Sequence, residues 1–197
     1  ERPVIDDKTG LTLRGTDRSG VVIDASDDSQ FENPYGFAVK ADDTTLERFT
    51  LKGPVQPPEA DSYPDSYFGL KISGCRDFVL EDVNVEGSTL SEIDLNSVQG
   101  AELTDVTADG QNENVDSTGG TGIFLTNCVD VWLAGITTRN NDWGGIAVSA
   151  WSEEYPTPDP TAREIRLEGS NTIEDTPILY TEEQPKEALY HTPDRRG

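Results

Sequence analysis

The sequence predicts an all-β protein, a single-stranded right-handed parallel β-helix of about six to seven coils with three short strands per coil. Three observations predict this fold. Copies of a motif of roughly 23 residues align with one another without gaps, apolar and polar residues alternate within short runs, and Asp or Gly recurs between those runs. A fixed repeat of this length is typical of solenoids, because each unit buries its apolar side only by stacking on the next unit.

The repeat is clearest in three segments, 68–87, 92–110 and 122–140. Apolar residues align across all three segments, in the columns Ile72/Leu95/Leu125, Leu80/Leu103/Leu133 and Val83/Val106/Ile136. Looser copies lie on either side, at 36–53 and 144–173, with partial coils at 11–24 and 177–180. We therefore expect a single domain over residues 1–181. Residues 182–197 are expected to form a C-terminal tail or loose cap.

The corners of each coil are predicted by pairs of residues that separate two of its strands. These pairs are Glu47-Arg48, Glu81-Asp82, Thr104-Asp105, Ala134-Gly135 and Glu168-Gly169. Gly, and to a lesser degree Asp, adopts a left-handed backbone conformation at low cost. We therefore expect a left-handed corner at the second residue of each pair.

This pattern of strands and corners resembles the coil repeat of the pectate-lyase-like superfamily over nearly the whole chain. The resemblance implies a β-helix with a binding groove along the first sheet of the coil, between the loops that enter and leave it. The leucine-rich repeat is the structural alternative, but its Leu-x-x-Leu-x-Leu-x-x-Asn motif is not found. The Gly-His-Gly of polygalacturonases, the Asp-Pro-His of alginate epimerases and the Trp-x-Asp-His of pectate lyases are also missing.

The composition is strongly acidic, with 38 acidic against 15 basic residues and a formal charge of −23 over 197 residues. Such a surface repels nucleic-acid phosphates, so we expect no nucleic-acid partner. Dispersed acidity of this kind resembles the proteins of extreme halophiles, in which salt shortens the Debye length to about 3 Å at 1 M. No apolar run approaches the roughly 18 residues of a membrane span. These features favour an extracellular or cell-surface location in a halophile.

A candidate site follows from the alternation of residues along the first sheet. Lys71, Asp94 and Phe124 are predicted to point outward and to lie side by side on successive coils. Asp94 and Glu92 are the candidate acid and base, and Lys71 is a candidate proton-abstracting base if its pKa is lowered. The aromatic residues expected to stack on sugars are Phe124, Trp143, Trp151, Tyr155 and Tyr67. The alternative is a structural salt bridge between Lys71 and Asp94.

The cysteines test the register of the repeat. Cys75, Val98 and Cys128 occupy one column, which places the two thiols about 9–10 Å apart, two strand spacings from one another. That separation exceeds the reach of a disulfide, which is about 7 Å between Cα atoms, so two buried free thiols are predicted.

We expect no cofactor and no metal ion, with Ca²⁺ kept as an alternative. The alternate oxygen ligands Asn112, Asn114 and Asp116 resemble a calcium loop. Ser117 and Ile123 stand where an EF-hand has Gly and Glu, so that motif is excluded.

Three function classes remain open. The first is a carbohydrate-facing binding, adhesion or structural module whose partner is a polysaccharide or cell-surface glycan. The second is a polysaccharide lyase or glycoside hydrolase that acts in the groove. The third is a repeat platform for another protein. Because solenoid ends expose strand edges, we also expect a second copy, or a neighbouring segment of a longer chain, to cover the end coils.

Overall fold

The computed structural model describes residues 3–26, 35–55, 67–111, 120–150, 163–174, 178–180 and 189–192. The described residues form strands, turns and bends, and no helix able to cross a membrane is found among them. The strands are β1 (Val4–Ile5), β2 (Thr12–Arg14), β3 (Val22–Asp24), β4 (Tyr35–Val39), β5 (Thr45–Lys52), β6 (Phe68–Ser73), β7 (Arg76–Glu86), β8 (Ser91–Asn96), β9 (Gln99–Thr104), β10 (Thr107–Asp109), β11 (Thr121–Thr126), β12 (Val129–Ala134), β13 (Thr137–Arg139), β14 (Gly144–Ser149), β15 (Arg163–Glu168), β16 (Thr172–Ile173), β17 (Ile178–Tyr180) and β18 (Leu189–Thr192).

The strands form two sheets in which the recorded pairs are all parallel. The seven-stranded sheet has the order β1-β4-β6-β8-β11-β14-β17. The second sheet has eleven strands and includes β5 and β7, each of which continues through a corner, so this sheet is curled. The prediction of an all-β protein with parallel strands is therefore confirmed. We define a repeat as one strand of the seven-stranded sheet and the curled-sheet strands that follow it, so that β1–β3 form the first repeat.

The observed strand register confirms the alignment of the repeat. Ile72 pairs with Leu95, and Leu95 pairs with Leu125, as the gap-free alignment predicts. The column Leu80/Leu103/Leu133 is likewise in register. All of these side chains are fully buried and belong to one continuous apolar core. Burial of these columns drives the stacking of one repeat on the next, because no repeat can bury its own apolar side alone.

The predicted left-handed corners are confirmed at every one of the five pairs. The backbone φ angles are 60° at Arg48, 53° at Asp82, 53° at Asp105, 64° at Gly135 and 71° at Gly169. These residues lie where the chain passes from one leg of the curled sheet to the other. A left-handed residue is costly for most L-amino acids, which explains why Asp and Gly dominate this column.

The two cysteines are free and buried, as predicted. The Cys128 Sγ lies 3.3 Å from the Leu95 carbonyl oxygen, to which the thiol donates. Burial raises the pKa of each thiol to about 12, so both stay protonated and behave as small apolar groups.

The C-terminal segment contributes a further strand. β18 lies within the segment expected to be a tail, and it pairs in parallel with β15, placing Leu189 beside Ile165. The curled sheet therefore includes residues 189–192, and the boundary at residue 181 stays a prediction.

Candidate functional site

The outer face of the seven-stranded sheet, the side away from the core, brings together three of the predicted site residues. Lys71 pairs with Asp94, and Asp94 pairs with Phe124, on the adjacent strands β6, β8 and β11. Neighbouring strands lie about 4.8 Å apart, so the three side chains form a continuous row. Ala38 and Ala147 flank this row at its two ends.

Asp94 is the most unusual group in this row. Its side chain is buried, with only 4% of the residue exposed. Burial raises the pKa of the Asp94 carboxyl to about 7, against the smaller lowering effect of the Lys71 charge. A carboxyl group with this pKa is present in both protonation states near neutral pH, which is the property required of a general acid or base.

Lys71 does not form the salt bridge that the sequence offered as a structural alternative. Among the described residues, the ion pairs within 4.0 Å do not include Lys71 with Asp94. The Lys71 Nζ instead lies 4.4 Å from the centre of the Phe68 ring, in a cation–π contact. Lys71 is half-buried, so its ammonium group remains within reach of a ligand on this face.

An aromatic pair lies at the other end of the row. The rings of Phe124 and Trp143 meet edge to face, with centroids 5.8 Å apart and an interplanar angle of 89°. Phe124 is half-buried, whereas 45% of Trp143 is exposed. Trp143 therefore presents a large apolar surface to solvent while Phe124 holds it in place.

Of the remaining predicted aromatics, Tyr67 lies within the described residues. Tyr67 precedes β6 with a left-handed φ of 82°, and its carbonyl oxygen accepts a hydrogen bond from the Leu90 amide. Trp151 and Tyr155 lie outside the described residues, as do Asn112, Asn114 and Asp116 of the calcium alternative.

A second row on the same face was not singled out from the sequence. Its four members carry hydroxyl or amide groups and pair strand to strand: Ser73, Asn96, Thr126 and Ser149. The Thr126 and Ser149 hydroxyl oxygens lie 3.0 Å apart and share a hydrogen bond. The alternation that placed Asp94 outward also places this row outward, so its signal was present in the sequence.

Glu92 lies on the same strand as Asp94 but has a different environment. It is 1% exposed, and its carboxylate accepts hydrogen bonds from the Ser88 amide at 2.9 Å and the Ser88 hydroxyl at 2.8 Å. Burial raises the pKa of Glu92 well above its usual range, and the Ser88 bonds act in the opposite direction. The Glu92 carboxyl is therefore held by Ser88, which lies just before β8. The catalytic role of Glu92 stays a prediction.

Glycines explain how the Ser88–Glu92 contact fits against neighbouring repeats. The register places Glu92 in a column with Gly36, Gly69, Gly122 and Gly145. A Cβ at Gly69 would lie 2.6 Å from the Ser88 Oγ and 2.6 Å from the Glu92 carbonyl oxygen. The missing side chain at Gly69 is what allows Ser88 to pack this closely.

A separate shallow cleft of about 690 Å³ lies along the corners of the curled sheet. Arg18 reaches into it from the β2–β3 loop, and its Nε donates to the Asp82 Oδ1 at 2.7 Å. The same guanidinium donates to the carbonyl oxygen of Asp105. The Arg18 guanidinium in this cleft is thus already paired with Asp82 and with the Asp105 carbonyl oxygen. This pairing indicates a structural role, in which Arg18 clamps two corners together.

No cluster of three or more His, Cys, Asp or Glu side chains suited to a metal ion occurs within the described ranges. No family model, curated protein or solved structure matches the chain. The proposed function therefore rests on the side chains of the outer face of the seven-stranded sheet.

Proposed function

We propose that this chain is a right-handed parallel β-helix of about seven coils that binds carbohydrate on the outer face of its seven-stranded sheet. Its setting is the outside of a halophilic cell, where it serves as a binding, adhesion or structural module. The exposed Trp143, held edge-on by Phe124 beside Lys71 and Asp94, is the observation that carries the proposal.

The two rows of the outer face support a sugar ligand. Sugars combine apolar ring faces with many hydroxyl groups, so they need a flat aromatic surface next to hydrogen-bonding side chains. Trp143 supplies the aromatic surface, and the half-buried Ser73 and Asn96 of the second row supply donors and acceptors. Site residues of mixed aromatic and polar type on a rigid sheet are typical of preorganised binding surfaces.

Binding can be tested with a panel of acidic and neutral polysaccharides, using calorimetry in about 2–3 M salt to screen the acidic surface. Trp143→Ala should weaken binding about tenfold, because it removes the exposed aromatic surface. Trp132→Ala is the matched control, since Trp132 is a half-buried tryptophan of β12 in the curled sheet. Equal losses in both variants, or no binding by wild type, would contradict the proposal.

A polysaccharide lyase or glycoside hydrolase is the second candidate function, and the environment of Asp94 favours it. A carboxyl with a pKa of about 7 can give or take a proton near neutral pH, and Lys71 lies beside it on the next strand. In this role Asp94 is the general acid or base, and the Lys71 ammonium stabilises negative charge that develops on the substrate.

Reducing-sugar and unsaturated-uronate assays on the same panel distinguish the two functions. If the chain is an enzyme, Asp94→Asn should lower turnover at least 100-fold, in line with the loss of a general acid–base group. Lys71→Ala should lower it as well, whereas Trp132→Ala on the curled sheet should have little effect. Binding without turnover by wild type supports the non-catalytic module.

A further inference from the structure

Lys71 lies between two groups that attract its ammonium, and it contacts one of them. Its Nζ is 4.4 Å from the centre of the Phe68 ring, three residues earlier on β6. The strand register places Asp94 directly beside Lys71 on β8. Because neighbouring strands are about 4.8 Å apart, rotation of the flexible Lys71 stem brings the ammonium from the ring to the carboxyl without movement of the backbone.

The Phe68 ring is a fixed support for the ammonium. Phe68 is buried, with 8% of the residue exposed, and it pairs with Tyr35 on one side and Ser91 on the other. A ring packed in this way does not follow the ammonium when Lys71 turns toward β8. The cation–π contact and an ion pair with Asp94 therefore exclude each other.

The protonation state of Asp94 decides which contact is stronger. Burial raises the pKa of the Asp94 carboxyl to about 7, and the Lys71 charge lowers it by a smaller amount. Below that pH the carboxyl is neutral and attracts the ammonium weakly. Above it the buried carboxylate attracts the ammonium by a Coulomb interaction that salt screens little and that exceeds a cation–π contact.

The neighbouring strands of the same sheet bring no second partner for the Asp94 carboxylate among the described residues. On β11 the residue beside Asp94 is Phe124. The Cys128 thiol also lies close to Asp94, and burial raises its pKa to about 12, so it stays neutral. On the far side of Lys71, β4 places an alanine in the row and ends just before Lys40, which is itself a cation.

The other acids near β8 act at a different place. The Glu92 carboxyl, on the same strand as Asp94, accepts hydrogen bonds from Ser88. The charges of Asp109 and Glu86 act on Glu92 and raise its pKa further, after the larger effect of burial. These groups do not compete with Asp94 for the ammonium on the outer face.

We propose that the Lys71 ammonium turns from the Phe68 ring to the Asp94 carboxylate when Asp94 loses its proton, so that the pair is a pH-dependent switch. Phe68 is then a positioning residue, because it holds the ammonium away from Asp94 and open to a ligand. In the ion-paired state Lys71 and Asp94 satisfy each other and offer less to a ligand. The effect on ligand binding rests on the proposed carbohydrate function, whereas the movement of Lys71 does not.

NMR of protein labelled with ¹³C in its lysines follows the switch without a ligand, in about 2–3 M salt. The chain has five lysines, and the spectrum of Lys71→Ala identifies the Lys71 signal by its loss. The ε-methylene protons of Lys71 should lie upfield at about pH 5, where the ring current of Phe68 acts on them. They should move downfield as pH rises through about 7, because the ammonium leaves the ring.

Variants assign this movement to the two partners. Asp94→Asn should keep the Lys71 protons upfield at every pH, and Phe68→Leu should remove the upfield position, which Phe68→Tyr should restore. Asp130→Asn is the matched control, since it makes the same change at an exposed acid of β12, and it should leave the titration unchanged.

Two results would overturn the switch. One is a Lys71 signal that does not move with pH in folded wild type, and the other is a movement that persists in folded Asp94→Asn. If Asp94→Asn does not fold, the ¹³C signal of the Asp94 carboxyl in wild type decides. Its midpoint should coincide with that of the Lys71 signal, and two different midpoints overturn the proposal.

Calorimetry at about pH 5 and about pH 9 tests the consequence for binding, with the polysaccharide that wild type binds. Wild type should bind about tenfold more weakly at the higher pH, and Asp94→Asn should bind equally at both. Equal affinity of wild type at the two pH values overturns the effect of the switch on binding. No binding by wild type contradicts the proposed function, and the NMR titration then decides the switch by itself.

Discussion

The outward acids of two strands of one repeat, β8 and β9, differ in their exposure. On β8 of the seven-stranded sheet the outward residues Glu92 and Asp94 are both buried. On β9, the curled-sheet strand of the same repeat, the outward residue Glu102 is exposed. An exposed carboxylate keeps its hydration, whereas a buried one loses it and changes its pKa. Acids that look alike in the sequence therefore differ widely in the free energy of their ionised form.

The difference also separates a candidate site from a solvated surface. Perturbed pKa values are typical of functional sites, because burial and neighbouring charges are what adapt a group to proton transfer or ligand binding. The outer face of the seven-stranded sheet has this property at Asp94. Among the outward acids of the curled sheet, Glu102 and Asp130 are exposed, whereas the buried Glu47 and Asp109 are each paired with an arginine.

The largest expected effect concerns salt. Below about 0.5 M salt, repulsion between the exposed acids should unfold the chain, since the Debye length grows to about 10 Å at 0.1 M. Far-UV circular dichroism along a salt titration measures the loss of β structure and its midpoint. Replacing the exposed Glu81, Glu102 and Glu164 of the curled sheet by Gln should move the midpoint to lower salt. A chain that stays folded in dilute buffer would contradict the halophilic interpretation.

The next effect concerns pH and the buried face. The pKa of Asp94 is about 7 in the folded chain against 3.8 for the free group, so the folded state binds more protons between these values. The free energy of unfolding should therefore fall as pH rises from about 4 to 7, with Asp94 accounting for at most about 4 kcal/mol. Denaturant titrations at several pH values measure how the free energy of unfolding depends on pH. Asp94→Asn should reduce this pH dependence and leave the part due to Glu92, whose pKa burial also raises, whereas Ser73→Ala should not change it. An unchanged pH dependence in Asp94→Asn would show that the Asp94 carboxyl is not effectively buried.

The smallest effect is expected on the exposed face. Arg166 Nη1 lies 3.6 Å from Asp130 Oδ1, with side chains 48% and 57% exposed. Exposed ion pairs contribute little, so Arg166→Ala should change the free energy of unfolding by less than about 1 kcal/mol, and less still in high salt. Thermal unfolding measures this change. A loss as large as that expected for Asp94 would contradict the contrast between exposed and buried charges.

Particular residues show how far the sequence predicts the candidate site. The row of Lys71, Asp94 and Phe124 follows from alternation and repeat length, and the structure confirms it. The burial of Asp94 does not follow, because alternation gives the side of a sheet and not what covers that side. The contacts of Lys71 with Phe68 and of Trp143 with Phe124 are also invisible in the sequence, since they depend on side-chain rotamers in the folded chain.

The sequence by itself determined the all-β repeat, the register of its apolar columns, the left-handed corners and the two free thiols. Each of these depends on local properties, namely the period-two geometry of strands, the volume of apolar side chains and the backbone preferences of Asp and Gly. Only the tertiary structure decided that Glu92 bonds to Ser88, that Arg18 clamps two corners, and that Asp94 has a pKa of about 7. Burial and distance between groups remote in the chain set these properties, because desolvation and hydrogen bonding act only once the repeats have stacked.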